Sequence, residues 1–374
     1  MWDGSSDRQY HFNRVALIGT GLIGGSIGLA LTGKKLAQSV VCYDRDPAAS
    51  AEAVALGAAD TSAASASEAA TGADLVVLAV PVLSTLKILE DILPAVSEGA
   101  IITDVGSTKG STMAAVEQML KTGVYYVGGH PMAGSEEIGI RGADPALLEN
   151  AIYVLAPASE TPEAVVEKLS ALIRAIGAQP INLDPLSHDR IVALVSHLPH
   201  VIAATLVRSV AAGGDPELVR TLAAGGFRDS TRIVLGNPEI WRDICVSNRW
   251  PLISALKGFR SSLDALEQYL NEPNPEAIEE YLLQARDYRG SIPYRGRGIL
   301  PELHELIVLV KDTPGMLAKV TGLLGDAGIN IDAIEILHVR ELSGGSVKIG
   351  FKDRKEHNRA LQLLSEEGFQ VHSR

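Results

Sequence analysis

The sequence predicts an α/β chain built on an open, mostly parallel sheet, followed by an all-helical segment and then a small β-α-β-β-α-β module. Three observations predict this. Short apolar runs alternate with helical stretches as far as about Leu183; strand signals then vanish until about Gly290; and they return beyond a Gly-, Pro- and Arg-rich stretch at 289–298 that reads as a linker. At 374 residues the chain is too long for one ordinary core. The divisions fall at 1–183, 184–298 and 299–374.

The first apolar run, Val15-Ala16-Leu17-Ile18, leads straight into Gly19-Thr20-Gly21-Leu22-Ile23-Gly24, and Ser26 to Leu31 reads as a helix that starts at those glycines. Strand, Gly-x-Gly-x-x-Gly and helix in that order make a dinucleotide site of the Rossmann type. Gly19 permits the tight turn, Gly21 lets the backbone approach a pyrophosphate, and Gly24 lets the helix lie close to the strand, so that helix amides meet the phosphates. The next run ends in Asp44, about 20 residues past Gly24, where a carboxylate hydrogen-bonds the ribose hydroxyls. Arg45 suits a 2′-phosphate, but Asp44 would repel one, which favours NAD over NADP. An ordinary strand-turn-helix is the other reading of the glycines taken alone.

Further buried strands are expected at 75–80, 100–103, 125–127, 152–155 and 181–183. Ligands of open sheets bind beyond the carboxyl ends of the strands. That rule singles out Val80-Pro81, Asp104-Val105-Gly106-Ser107 and Gly128-Gly129-His130-Pro131, with Val80, Pro81 and Asp104 expected at the cofactor beside the glycine turn.

From 184 onward the apolar-periodic stretches 191–210, 238–246 and 252–270 are apolar on more than one side, which suggests burial against a partner subunit and hence a homodimer. In the last segment strands are expected at 305–310, 331–339, 346–351 and 369–372, and helices at 315–326 and 356–365.

Composition excludes several classes. The formal net charge of −12 argues against nucleic acid as a partner, since binding phosphate backbones needs a basic surface. Residues 1–13 are polar, and a membrane span or secretory signal is not expected. The two cysteines, Cys42 and Cys245, are far apart and give neither a disulfide framework nor a metal site, which fits a reducing cytoplasm. His197 and His200 are three apart and share a helix face, but no third ligand stands at fitting spacing, so no metal is expected. Pro199 between them should kink or start the helix.

Three segments carry a resemblance. Gly129-His130-Pro131-Met132-Ala133-Gly134-Ser135-Glu136, Ser196-His197-Leu198-Pro199-His200 and Gly226-Phe227-Arg228-Asp229-Ser230-Thr231-Arg232, in that order behind the glycine motif, resemble prephenate dehydrogenase of the tyrosine pathway. The resemblance runs to about Gly290, and the segment from Leu303 onward resembles an ACT domain, a small amino-acid-sensing module. It implies NAD-dependent oxidative decarboxylation of prephenate to 4-hydroxyphenylpyruvate. Loss of the ring carboxylate yields an aromatic ring, so the enzyme needs only to start hydride transfer and hold two carboxylates in place.

The resemblance makes His130 the catalytic hydrogen-bond acceptor for the ring hydroxyl. Ser107 would reach the same hydroxyl or the nicotinamide amide and orient His130; as an alternative or in addition it would be a helix N-cap. Ser135 and Glu136 would line the substrate pocket. Arg232 is the expected carboxylate anchor with Arg228 four residues before it, because guanidinium forks match carboxylates. Asp229 would act across the dimer or fix an arginine, His197 and His200 would make substrate or structural contacts, and Trp241 would pack at the subunit contact or in the core. In the ACT segment Asp312, Pro314, Gly315, Met316, Leu317 and Asn330 match the ligand loops, where helix amides hold an amino-acid carboxylate, with L-tyrosine as the implied effector. A module that only dimerises is the alternative. Competing readings are an arogenate or dual-specificity cyclohexadienyl dehydrogenase, a β-hydroxyacid dehydrogenase, which would rely on a lysine in its helical domain, and an amino-acid sensor with a degenerate enzyme domain.

Overall fold

Eight strands form the main sheet: β1 (Phe12–Ile18), β2 (Ala37–Tyr43), β3 (Thr61–Ser62), β4 (Leu75–Leu78), β5 (Ile101–Asp104), β6 (Tyr125–Pro131), β7 (Ile152–Pro157) and β8 (Gln179–Asn182), in the spatial order β3-β2-β1-β4-β5-β6-β7-β8. Neighbours are parallel except β6 and β7, which run antiparallel. This computed structural model describes residues 11–134, 137, 139–292, 303–311, 313–337 and 344–373, and the chain divides into two units, Met1–Gly298 and Ile299–Arg374.

The strands are continuous apolar runs because both faces of the sheet are covered. Alternate residues go to opposite sides: Val15 and Leu17 join a core with Ile27, Leu31 and Leu172, whereas Ala16 and Ile18 join one with Leu89, Ile92 and Val116. The chain winds outward from β1 to β3 and returns to β4, so the carboxyl ends of β1 and β4 lie side by side and open a crevice there. The Ala79 N–H donates to the Ile18 carbonyl at 2.7 Å, which seats Val80 and Pro81 next to the glycine turn.

Details of the sheet depart from the sequence reading. The strand expected at 125–127 continues to Pro131, because Gly128 to Pro131 pair with β7 and place His130 opposite Val154. His130 therefore lies within a strand rather than after one. The two-residue edge strand β3 was not expected; both of its residues are polar and exposed, leaving no apolar run to read.

The rest of the first unit is helical: Pro185–Val192, Leu198–Ala212, Pro216–Leu222, Gly225–Thr231, Pro238–Ser247, Arg249–Asn271 and Pro275–Ser291. The last of these extends through Arg289, Gly290 and Ser291, residues expected in the linker; 293–298 lie outside the described residues. Pro199 has no N–H for the Val195 carbonyl, and the helix widens to a π turn over Ala193–His197 before restarting at Leu198. By length and composition alone the continuous stretch Pro185–Ala212 would pass for a bilayer span, with mean hydropathy 1.6. Its first turns, however, are hydrogen-bonded to the sheet side of the unit through Asp189. Large apolar side chains stay exposed on the helical region, among them Val195, Leu222, Leu235 and Trp250.

In the second unit β9 (His304–Lys311), β10 (Ala333–Leu337), β11 (Gly344–Phe351) and β12 (Gln370–Ser373) form an antiparallel sheet in the order β10-β11-β9-β12. Leu306, Val308, Val347, Ile349 and Phe351 pack against Val320 and Leu324 of helix Met316–Asp326 and against Ala360 and Leu364 of helix Arg354–Glu366. The order β-α-β-β-α-β is the one expected.

Helix Leu22–Gly33 offers two glycines with opposite expectations. A Cβ on Gly24 would sit 2.0 Å from the Gly19 carbonyl oxygen, whereas one on Gly33 meets nothing within 4 Å. Gly24→Ala should destabilise by roughly 1–3 kcal/mol through overpacking. Gly33→Ala should stabilise by up to about 1 kcal/mol by reducing unfolded-state freedom. Thermal denaturation of the two variants should move in opposite directions.

Candidate active site

At the carboxyl end of β1 the turn is built for close approach. Gly19 adopts φ +95°, and a Cβ there would lie 2.2 Å from the Ala79 carbonyl oxygen. Only Gly21 opens outward, with nothing within 4 Å of its Cβ position, and it caps helix Leu22–Gly33 without any side-chain hydrogen bond. The helix amides are thus left for an outside acceptor. Asp44, half-buried at the end of β2, takes the Thr20 N–H at 2.8 Å and the Thr20 hydroxyl at 3.2 Å, which holds its carboxylate beside the turn. Arg45 is exposed. Turn, uncapped helix and adjacent carboxylate fit a dinucleotide.

Asp104 does not behave as expected. Its carboxylate is 1% exposed and enclosed by protein donors: the Lys109 ammonium, the Gly106 N–H at 2.9 Å and the Gly129 N–H at 3.1 Å. It serves to tie the loop after β5 to β6 beside His130, rather than to meet a cofactor. Ser107 is half-buried in that loop and is not an N-cap: helix Gly110–Met119 is capped at Lys109, whose own side chain gives no cap hydrogen bond. The cap comes from elsewhere. Asp189, on helix Pro185–Val192, accepts the Lys109 N–H at 2.7 Å and the Gly110 N–H at 2.8 Å.

The same carboxylate lies 2.8 Å from His188 Nδ1, and His188 Nε2 lies 2.8 Å from His130 Nδ1. Burial, with His188, Lys109 and His197 close by, holds the His130 imidazole well below the usual histidine range, so it is neutral at pH 7. His197 is pushed down to about 4, chiefly by burial, and its Nδ1 lies 3.0 Å from Asn248 Nδ2, which also donates to the Asp189 carbonyl at 2.8 Å. His200 is stacked on Trp241, with ring centroids 3.5 Å apart, and its buried Nε2 has no hydrogen-bond partner among the described residues.

His130, His197, His200 and Trp241 are thus gathered where the sheet meets the helices. Arg228, Asp229 and Arg232 are exposed. The expectation of one continuous turn from Arg228 to Arg232 changes: helix Gly225–Thr231 ends before Arg232, which opens the 3-10 turn Arg232–Leu235. Helix and turn both pack on the His200-bearing helix Leu198–Ala212. Ser135 and Glu136 lie outside the described residues, as does Asp312 in the ACT segment. Beyond it, Gly315 at φ +89° caps helix Met316–Asp326 without a side-chain bond, Met316 and Leu317 form the first turn, Pro314 precedes them, and Asn330 is exposed.

Sequence profiles described as the prephenate dehydrogenase nucleotide-binding domain and the prephenate dehydrogenase dimerization domain match residues 27–182 and 184–284, and an ACT domain profile matches 304–355. The chain belongs to the prephenate dehydrogenase family. The prephenate dehydrogenase of Bacillus subtilis is 35% identical over 352 residues, 94% of this chain and 95% of that one. Among solved structures, the prephenate dehydrogenase of Aquifex aeolicus in complex with hydroxyphenyl propionate and NAD+ is 31% identical, with a TM-score of 0.71 over 75% of this chain and 98% of that one. The arogenate dehydrogenase of Synechocystis is 29% identical, with a TM-score of 0.67 over 75% of this chain and all (100%) of that one. The resemblance carried by the three sequence segments holds, as does the three-part fold of sheet, helical and ACT modules.

In this prephenate dehydrogenase family member, sequence reasoning passed over His188, Asp189, Asn248 and the side chain of Lys109. The signal was present but faint. An adjacent His-Asp pair lies buried in the first helix after β8, an unusual place to bury charge. Breaking the buried Asp104–Lys109 pair should be costly, since both side chains are 1% exposed. Lys109→Met is expected to lose about 3–5 kcal/mol in urea denaturation because it strands a buried carboxylate, and adding Asp104→Asn should recover part of that loss.

Proposed function

We propose that this chain is a prephenate dehydrogenase that oxidatively decarboxylates prephenate to 4-hydroxyphenylpyruvate, working in the cytoplasm as a homodimer. Residues 1–183 form its NAD-binding domain, 184–298 its dimerisation and substrate domain, and 299–374 its regulatory domain. The observation that carries this reading is the neutral, buried His130 at the end of β6, whose Nδ1 lies 2.8 Å from His188 Nε2 and whose ring has His188, Lys109 and His197 close by.

NAD, bound at Gly19 to Gly24 with Asp44 at its ribose and Val80 and Pro81 alongside, supplies the hydride acceptor. The chain's own residues do the rest. His130 accepts the hydrogen bond and then the proton of the ring hydroxyl, which lowers the cost of the carbonyl that forms as hydride leaves the same carbon. The C–CO2 bond then breaks, its electron pair enters the ring and turns the carbonyl into a phenolate, and the proton held by His130 returns to that oxygen to give the phenol. Ser107 reaches the same hydroxyl or the nicotinamide amide and orients His130. Arg232 anchors a substrate carboxylate, with Arg228 as a second cation and Asp229 fixing an arginine, while His197, His200 and Trp241 form the helical wall and Ser135 and Glu136 are assigned to the substrate pocket. The match to a dimerization domain and the exposed apolar side chains of the helical region support the homodimer. In the regulatory domain, the start of helix Met316–Asp326, capped at Gly315 without a side-chain hydrogen bond, suits the carboxylate of L-tyrosine, and we assign Asp312, Pro314, Gly315, Met316, Leu317 and Asn330 to that site.

NAD reduction measured with prephenate and with arogenate decides the substrate, and faster turnover of arogenate would overturn the choice made here. His130→Asn should cut kcat by about 100-fold or more, and Arg232→Ala should chiefly raise KM; the reverse pattern would exchange the two roles. Because His130 is shifted well below 6.5, the acidic limb of kcat/KM should fall at a pH well below 6.5, since the base stays unprotonated above its own pKa.

L-Tyrosine should inhibit the full chain and not a chain ending at Gly298. Inhibition that survives the truncation would put the effector in the active site.

A further inference from the structure

Three buried side chains stand in line behind the ring that the proposed reaction uses: His130, His188 and Asp189 are 9%, 0% and 4% exposed. They come from β6 and from helix Pro185–Val192, and their contacts, Nδ1 to Nε2 and Nδ1 to Oδ1, are each 2.8 Å. The polarity of the line follows from its far end. Asp189 Oδ1 takes the Lys109 N–H and Oδ2 takes the Gly110 N–H, at the start of helix Gly110–Met119. Both oxygens are thus taken up as acceptors, and a carboxylate has no proton to give. His188 must therefore donate from Nδ1.

In a neutral His188 the Nε2 then carries a lone pair, and the partner facing it, His130 Nδ1, must bring the proton. That leaves His130 Nε2 bare. We propose that His188 and Asp189 are positioning residues for the reaction: together they fix His130 in the tautomer whose Nε2 accepts the substrate hydroxyl proton, and they hold the Nδ1–H of the imidazolium that results. The inference rests on reading His130 as the proton acceptor.

Without His188 the His130 ring would be free to carry its proton on either nitrogen, and the form protonated at Nε2 cannot act as a base. The arrangement also fixes the ring's rotation, because the acceptor for Nδ1–H sits on a different element from the strand that carries His130. The other groups near the line are Lys109 and His197, which face His130, and Asn248, which donates to the Asp189 backbone carbonyl. None of them accepts a proton from His130 in this structure.

The direct test is nitrogen-15 NMR of the full-length wild-type protein labelled at histidine and saturated with NAD, with His130 assigned from the signals lost in His130→Asn. A proton on Nδ1 and a bare Nε2 are expected; a proton on His130 Nε2, the result of a His188 that donates at both nitrogens, would overturn the proposal. Kinetics supply the second readout. His188→Leu should lower kcat about 100-fold with KM for prephenate held within about twofold. His188→Gln, whose side-chain oxygen can take the Nδ1–H, should regain about tenfold of that loss. An unchanged kcat in His188→Leu, a matching rise in KM, or no difference between the two variants would sink the positioning role. A wild-type protein that does not turn over prephenate would defeat the functional reading instead, and the NMR tautomer would still judge this one.

Discussion

One carboxylate holds the two halves of the catalytic unit in register. Asp189 belongs to the helical region, yet its two oxygens close the exposed amides of a helix on the sheet side, and one of them also faces His188. Hydrogen bonds to a charged acceptor are worth about 1.5–3 kcal/mol each. That figure is already net of desolvation, so the bonds to Asp189 tie the two regions together as well as fixing their geometry. A hydrophobic contact could join the two regions as firmly, but it would not fix which way a ring turns or which nitrogen carries a proton.

Asp104 repeats this logic one strand away. Its lysine and two amide donors bind the loop after β5 to β6 at Gly129, the residue next to His130. His130 is therefore framed by two buried carboxylates, neither of which touches it: one fixes the backbone it hangs from, and the other reaches its ring through His188. Small displacements at a reacting centre are expensive, and in this fold the framework resisting them is polar rather than apolar.

How much of this the sequence discloses depends on distance along the chain. The strands, the glycine turn and the Asp44 position are local patterns, and apolar periodicity records them. His130 is found because its neighbours form a motif. His188, by contrast, meets His130 across 58 residues, and Asp189 meets Lys109 across 80. No periodicity marks such a pairing, and only the fold creates it. The reading of Asp104 shifts for a related reason: a carboxylate at the end of a strand looks the same in sequence whether it faces a ligand or a lysine five residues on. The break between Arg228 and Arg232 is a matter of local geometry, since a helix that ends at Thr231 gives no sharp signal among Gly, Ser and Thr.

Burial creates a tension at His130 that the chemistry resolves. An imidazole pushed well below its usual range is a weak base and, taken alone, a poor choice to remove a proton from an alcohol. The proposed reaction does not need a strong one. Release of carbon dioxide and formation of an aromatic ring supply the driving force, so the proton has only to move as the carbonyl forms. What matters is that the acceptor be unprotonated, dry and aimed. Burial secures the first two conditions by disfavouring the imidazolium and excluding water, and the line through His188 to Asp189 secures the third. A more exposed histidine would be a stronger base, yet it would spend part of its time protonated near neutral pH and would have no fixed tautomer. On the proposed mechanism orientation would be favoured over basicity, which suits a reaction that ends in an aromatic ring.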